Sequence, residues 1–270
     1  MTDTDTYVRR LEEANPLREP LLRRVVQTLG LPAGSQGLDV GCGIGLQALL
    51  LVEAVGPDGH VTGLDLSPAL LHYAEKVVRQ AGLSGRISFQ EGDLNRLPFN
   101  DDTFDWAWSA DCVGYPVGNL LPVLLELKRV VKPGGTVAIL AWSSQCLLPG
   151  YPLLEARLNA TGSGLAPIIR GSEPESHFMR ALRWFAEVGL VEAENRTFVG
   201  DVQAPLSDAL RTALISLFEM LWGEPTPEVS QEDWAEYQRL CRPESPDFIL
   251  DLPGYVAFFT YSLFRGTVTT

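Results

Sequence analysis

The chain is poor in the residues that build metal centres and disulfide frameworks: of 270 residues, four are cysteine and three are histidine. The cysteines, at 42, 112, 146 and 241, are widely spread and form no C-x-x-C pair, so neither a zinc site nor a disulfide scaffold is indicated and reduced thiols are expected. Cys42 and Cys112 do not supply the several converging thiolates that a soft metalloid requires. Long hydrophobic runs are missing too. No stretch approaches the roughly 18 apolar residues of a membrane-spanning helix, and the opening Met1-Thr-Asp-Thr-Asp-Thr6 lacks the basic and apolar regions of a secretory signal. A cytoplasmic protein without membrane insertion is therefore expected. Positive charge is also scarce: 21 Lys and Arg face 34 Asp and Glu, for a net charge of −13. Residues 1–144 hold 12 basic and 17 acidic side chains, and residues 145–270 hold 9 and 17, so neither part carries the basic stripe that neutralises phosphates. A nucleic-acid partner is not expected, and the acidic surface is sufficiently explained by solubility.

What the chain does have is a stretch built for contact. Gly37 to Leu50 reads as a short strand containing Leu38 and Val40, a turn with glycine at 41, 43 and 45, and an apolar run of helical length. Glycine at alternate positions permits positive φ and close approach of a ligand. The helix after it presents unpaired N–H groups that favour a carboxylate or other anion. The dinucleotide fingerprint G-x-G-x-x-G would need glycine at 46, where the chain has Leu. Asp39 stands two residues before the first glycine, placed to accept from an ammonium group or to orient the loop, and Asp65 ends the next strand-like run, where a carboxylate can take both ribose hydroxyls.

On these residues the chain resembles the class I S-adenosylmethionine-dependent methyltransferases, of the small-molecule, ubiquinone- and menaquinone-biosynthesis type, whose first motif (V/L)-D-x-G-x-G-x-G matches Leu38 to Gly45. Further matches are Gly92-Asp93-Leu94-Asn-Arg-Leu-Pro98-Phe99, Phe104-Asp105-Trp-Ala and Arg129-Val-Val-Lys-Pro-Gly-Gly135. The specific resemblance covers about residues 36–142. It implies S-adenosylmethionine as cofactor, held by Asp39, Gly41, Cys42, Gly43 and Gly45, by Asp65 with Leu66, by Asp93 on the adenine amino group, and by the Leu94 N–H on a ring nitrogen. For Asp93 the alternative is an Asx-turn that merely holds the loop. Ser109 opens the stretch Ser109-Ala-Asp111-Cys112-Val-Gly114-Tyr115, where such enzymes face the methyl group. That stretch lacks the (N/D)-P-P-Y tetrapeptide of methyltransferases acting on DNA bases or glutamine amides. Arg18, with Tyr7 ahead of it, lies where the family folds an arm over the cofactor, and Arg18 could pair with its carboxylate; a solvated arginine is the other reading.

Element by element, a helical pattern covers 7–30, Ser67-Pro68 starts a helix whose stripe is Leu70, Leu71, Ala74, Val77 and Val78, and Asn119 caps another. Helices are expected over 151–159, 174–188, 206–221 and 231–241, with strands over 190–199 and 255–264. The fold class is α/β, a doubly wound seven-stranded mixed sheet with a helical cap. With 46% hydrophobic residues, one domain spanning 1–270 is expected: an N-terminal helical arm (1–35), a cofactor core (36–142), an acceptor cap (143–188 and 203–250) and two last strands (190–199 and 255–265).

Methyl transfer is an in-line displacement governed by positioning, so a base is optional. Candidates for one are Tyr115, His177, Asp111 and acids of the cap. Trp222, Trp234, Tyr237, Phe258, Phe259 and Tyr261 suggest room for an aromatic or extended apolar small molecule, although a hydrophobic core accounts for most of them. The rival readings are a cofactor-binding module without chemistry and a nicotinamide oxidoreductase, the latter disfavoured by Leu46 and the acidic loop at Asp93. The acceptor atom and the oligomeric state are not legible.

Overall fold

In the computed structural model the strand, turn and helix expected at the glycine turn are β1 (Gln36–Val40) and α2 (Leu46–Ala54), preceded by one long helix, α1 (Asp3–Leu29). The structure describes residues 3–113, 120–160, 175, 177–224 and 226–269. Alternation continues with β2 (His60–Asp65), α3 (Pro68–Gln80), β3 (Ile87–Glu91), β4 (Phe104–Ala110), α4 (Leu121–Val130) and β5 (Val131–Cys146). Then follow α5 (Pro152–Asn159), a 3-10 turn at Phe178–Arg180, α6 (Ala181–Glu187), β6 (Leu190–Gln203), α7 (Asp208–Trp222), α8 (Gln231–Cys241) and β7 (Val256–Val268). β5 begins and ends beyond its expected limits, and of the helix expected over 174–188 the described residues include the 3-10 turn at Phe178–Arg180 and α6. Asn119, expected to cap α4, lies outside the described residues.

The strands form one mixed sheet in the order β3-β2-β1-β4-β5-β7-β6. β1 pairs in parallel with both β2 and β4, placing Asp39 opposite Gly63 on one side and Trp108 on the other. The strand order therefore reverses at β1, and the carboxyl ends of β1, β2, β3 and β4 meet where a doubly wound sheet binds its ligand.

Two compact units divide the chain. The sheet unit comprises Leu21–Trp142, Ser172–Phe198 and Tyr261–Thr270. Its core buries Leu38, Val40 and Leu64 of the central strands together with Leu124 and Leu127 of α4 and Trp184 and Phe185 of α6. Residues 172–188, assigned from the sequence to the cap, belong to this unit, because the apolar side chains of α6 pack against the core of α4 and the sheet. Local signals do what the sequence requires. Ser67 Oγ accepts from Leu70 N at 3.3 Å with Pro68 at the first helical position, and Leu71, Ala74 and Val78 are the buried stripe of α3. The helical unit comprises Met1–Pro20, Ser143–Gly171 and Val199–Thr260. Trp222, Tyr237 and Phe259 are fully buried in it, so these aromatics build its core, whereas Phe258 faces outward.

Gly37 illustrates how tightly β1 and β4 fit. It is paired with Trp106, whose indole is buried and donates to Ser35 Oγ at 2.9 Å, and a Cβ at 37 would overlap that ring. Gly37→Ala is expected to lower stability by about 3 kcal/mol, the upper end of the overpacking range. In urea titrations Trp106→Val in the Gly37→Ala background should recover part of that loss, and purely additive effects would show that the two positions do not clash.

Candidate functional site

The site starts from a turn that bends as only glycine does freely. Gly41, Gly43 and Gly45 have φ of 73°, 54° and 77°. A side chain at 41 would run into Cys112, and one at 45 would press on Ala74 and Phe89, while at 43 nothing lies within 4 Å. Gly43 thus marks the open side of the turn. Most of the turn's own N–H groups are taken: those of Gly41 and Cys42 donate to Leu64 O at 2.8 and 3.0 Å, Gly45 to Cys42 O at 2.9 Å, and Gly43 to Asp65 Oδ2 at 2.9 Å. The start of α2 is different. Gly45 is its N-cap and offers no side chain to the first turn, which contains no acidic residue, so among the described residues these N–H groups remain available for a carboxylate.

Asp39 is 1% exposed, and its Oδ2 has no hydrogen-bond partner among the described residues. Burial, and after it the charge of Asp65, push its carboxyl up to about 7. A buried acid with an orphan oxygen beside an open glycine turn is suited to an ammonium group. Asp65 holds Gly43 N and Ser67 N, the latter on Oδ1 at 2.9 Å. It therefore fastens the second strand end to the turn, and a carboxylate's four lone-pair positions leave two for hydroxyl donors. Leu66 beside it is 69% exposed, an uncovered apolar surface at the mouth of the turn.

Asp93 is exposed, and its Oδ1 accepts from both Asn95 N and Asn95 Nδ2 at 2.8 Å, the Asx-turn arrangement, which holds the carboxyl below its usual range. Leu94 is half-buried beside it. Arg129 anchors this loop: its guanidinium donates to Leu97 O, Phe99 O and Asp101 and is gripped by Glu126, whose other contact is Leu97 N at 2.8 Å. Cys42 is buried, with its thiol pushed up chiefly by burial and then by Asp39. Ser109 is fully buried and accepts from Val113 N at 3.2 Å, so its hydroxyl serves the turn after β4.

Arg18 is half-buried in the helical unit, and Tyr7 is exposed there. Tyr115 lies outside the described residues. His177 begins the 3-10 turn: Nδ1 accepts from Met179 N at 3.2 Å, and the ring stacks on Phe178. A neutral imidazole accepting at Nδ1 carries its proton on Nε2, which leaves no free lone pair for a general base. Sequence reasoning overlooked Gln47, whose Oε1 accepts from Trp108 Nε1 at 3.0 Å, and the Tyr261 hydroxyl, which donates to Asp111. No local pattern announces either pairing. Among the described residues no His, Cys, Asp and Glu cluster could hold a metal ion, and no helix is long and apolar enough to cross a membrane.

The folded-state carboxyl of Asp39 is raised from 3.8 to about 7, so between these values the native state holds a proton that the unfolded chain releases. Stability is accordingly expected to fall as pH rises through that window, by on the order of 4 kcal/mol. Urea midpoints of Asp39→Asn should lack this fall, and a parallel pH dependence in the two proteins would refute the burial of an unpaired acid.

Known proteins share this architecture. A methyltransferase-domain family model matches residues 38–135. Demethylmenaquinone methyltransferase of Bacillus velezensis is 32% identical over 199 residues, which cover 67% of this chain and 82% of that protein. The Geobacillus kaustophilus enzyme of the same name is 38% identical over 133 residues, covering 48% and 53%. Among solved structures, a SAM-dependent methyltransferase from Aquifex aeolicus superposes with a TM-score of 0.53 at 24% identity, over 73% of this chain and 92% of that one, a likeness of fold.

Proposed function

Because the chain belongs to the class I S-adenosylmethionine-dependent methyltransferases, we propose that its acceptor is a small aromatic molecule of the quinol type, methylated in the cytoplasm without a nucleic-acid partner. The cofactor supplies a sulfonium-bound methyl group for in-line transfer to a nucleophile. The chain's own residues bind and orient. Asp39 takes the ammonium group, the uncapped start of α2 takes the carboxylate, Asp65 takes the ribose hydroxyls, and Asp93 with the Leu94 N–H takes the adenine edge. Gly41, Cys42, Gly43 and Gly45 shape the turn, Leu66 shields the ribose side, and Ser109 keeps the exit of β4 in place. Arg18 is a further candidate for the cofactor's carboxylate.

The orphan Oδ2 of buried Asp39 carries this reading, because it calls for a cationic partner that none of the described residues provides. The quinol-type acceptor is supported by the name of relatives matched over most of their length, and by the lack of the tetrapeptide used for DNA bases and glutamine amides. The net charge of −13 favours a small molecule over nucleic acid. Acceptor recognition falls to segments 143–171 and 203–250. Proton removal from the acceptor is assigned to Tyr115 before His177, whose lone pair is engaged.

Calorimetric titration with S-adenosylhomocysteine at pH 6, in buffers of different ionisation enthalpy, should report release of close to one proton as Asp39 ionises against the ammonium group, and almost none at pH 8.5. Asp39→Asn should abolish the release and weaken binding by on the order of 10- to 100-fold, the worth of a charged hydrogen bond. Binding of NADH instead would overturn the cofactor assignment. Incubation with S-adenosylmethionine and reduced 1,4-naphthoquinol should yield a product heavier by one CH2, with turnover unchanged in His177→Phe; cofactor binding without that product would reject the quinol class.

A further inference from the structure

The exit of β4 contains a backbone conformation that its sequence does not require. Asp111 follows the last residue of the strand with φ of 50°, in the left-handed region that non-glycine residues seldom occupy. Hydrogen bonds to two other strands hold it there. Its N–H donates to Leu140 O at 2.9 Å, Oδ1 accepts from Trp142 N at 3.0 Å, and Oδ2 accepts from the Tyr261 hydroxyl at 2.7 Å. Two of these partners lie on β5 and the third on β7, so one side chain joins the end of β4 to two other strands. Tyr261 is fully buried and meets the Trp142 ring edge-on at 5.4 Å, which leaves its hydroxyl little freedom to turn elsewhere.

The next residue bears on the cofactor turn. Cys112 lies so close to Gly41 that a Cβ at 41 would overlap its side chain, and Ser109 hydrogen-bonds both the Cys112 thiol and Val113 N. The left-handed bend at Asp111 directs the chain so that Cys112 abuts the first glycine of the turn. Strained residues persist where surrounding structure over-determines them, and they cluster at functional sites. We propose that Asp111 is a positioning residue: by clamping the exit of β4 to β5 and β7 through Trp142 and Tyr261, it presses Cys112 onto Gly41 and fixes the glycine turn in its binding form. Its carboxylate is engaged in holding this bend, so it acts on the reaction through Cys112 and not as a base.

This inference rests on the glycine turn being the cofactor site, and the experiment separates the two. Asp111→Ala, Asp111→Asn and Tyr261→Phe are titrated with S-adenosylhomocysteine, and the alkylation of each cysteine by iodoacetamide is followed by peptide mass spectrometry. Asparagine tolerates the left-handed region, keeps an oxygen for Trp142 N, and presents an amide that the Tyr261 hydroxyl can accept from. Asp111→Ala is expected to weaken binding about tenfold and to speed alkylation of Cys112 several-fold, with half-buried Cys146 unchanged as internal reference. Asp111→Asn should stay near wild type on both readouts, and Tyr261→Phe should fall between. Wild-type affinity and Cys112 reactivity in Asp111→Ala would overturn the assignment, as would an Asparagine variant as impaired as the alanine one. If the alanine protein does not fold, Tyr261→Phe decides: faster Cys112 alkylation with weaker binding supports the clamp, and no change rejects it. Failure of the wild type itself to bind S-adenosylhomocysteine would reject the cofactor site, while the alkylation rates would still report on the clamp.

Discussion

Asp39 is buried at the carboxyl end of the central strand with one oxygen unpaired and a second carboxylate, Asp65, near enough to raise its pKa further. Such a group is stable only when protonated or when a cation reaches it, and none of the described residues supplies that cation. The turn after Asp39 has no side chain on its open face at Gly43. Asp65 spends its hydrogen-bonding on backbone N–H groups of the turn and of the following helix, so it fixes the loop while leaving Asp39 uncompensated. The electrostatic cost at β1 suits this position to a ligand that carries its own ammonium group.

Each of the other strand ends supports that arrangement through contacts of long sequence separation. Arg129, from the segment that ends α4, donates to two carbonyl oxygens of the loop after β3 and so places Asp93 and Leu94 from thirty-odd positions away. Asp111 does the equivalent at β4, joining it to β5 and β7. These loops are held by side chains from distant parts of the sequence, and a rigid loop loses less conformational freedom when a ligand arrives.

How much of this was legible in the sequence depends on the range of the interaction. The glycine turn, the Ser67 cap and the stripe of α3 are local, and their residues announce them through spacing and backbone preference. Phe104, Trp106 and Trp108 alternate as the buried face of a strand does, and all three are buried. Asp65 was legible as an acid at a strand end, but not as the partner of Gly43 N, because that bond depends on how far β2 extends beside β1. Asp111 looked like a free acid near the methyl group. Only the folded chain, with Tyr261 brought 150 positions to meet it, commits that carboxylate elsewhere. Likewise the apolar content of 177–188 does not specify which surface it covers, and Phe178, Trp184, Phe185 and Val188 join the core of α4 and the sheet.

In-line transfer of a methyl group draws its rate mainly from alignment and exclusion of water, so it places few demands on acid–base residues. That accounts for why the motifs the family shares over residues 36–142 are those the resemblance assigns to the cofactor, while the rest of the chain carries no comparable signature. Recognition of the acceptor is a matter of shape and apolar surface, which many side-chain combinations satisfy, so it leaves weak patterns even where the fold is shared. The same reasoning makes His177 and the buried aromatics Trp222, Tyr237 and Phe259 poor guides to chemistry, since a helix start and a hydrophobic core account for them. In the clamp proposed above, alignment depends on how firmly the glycine turn is held, and Asp111, with its left-handed φ and its bonds to Leu140, Trp142 and Tyr261, is the residue that fixes it.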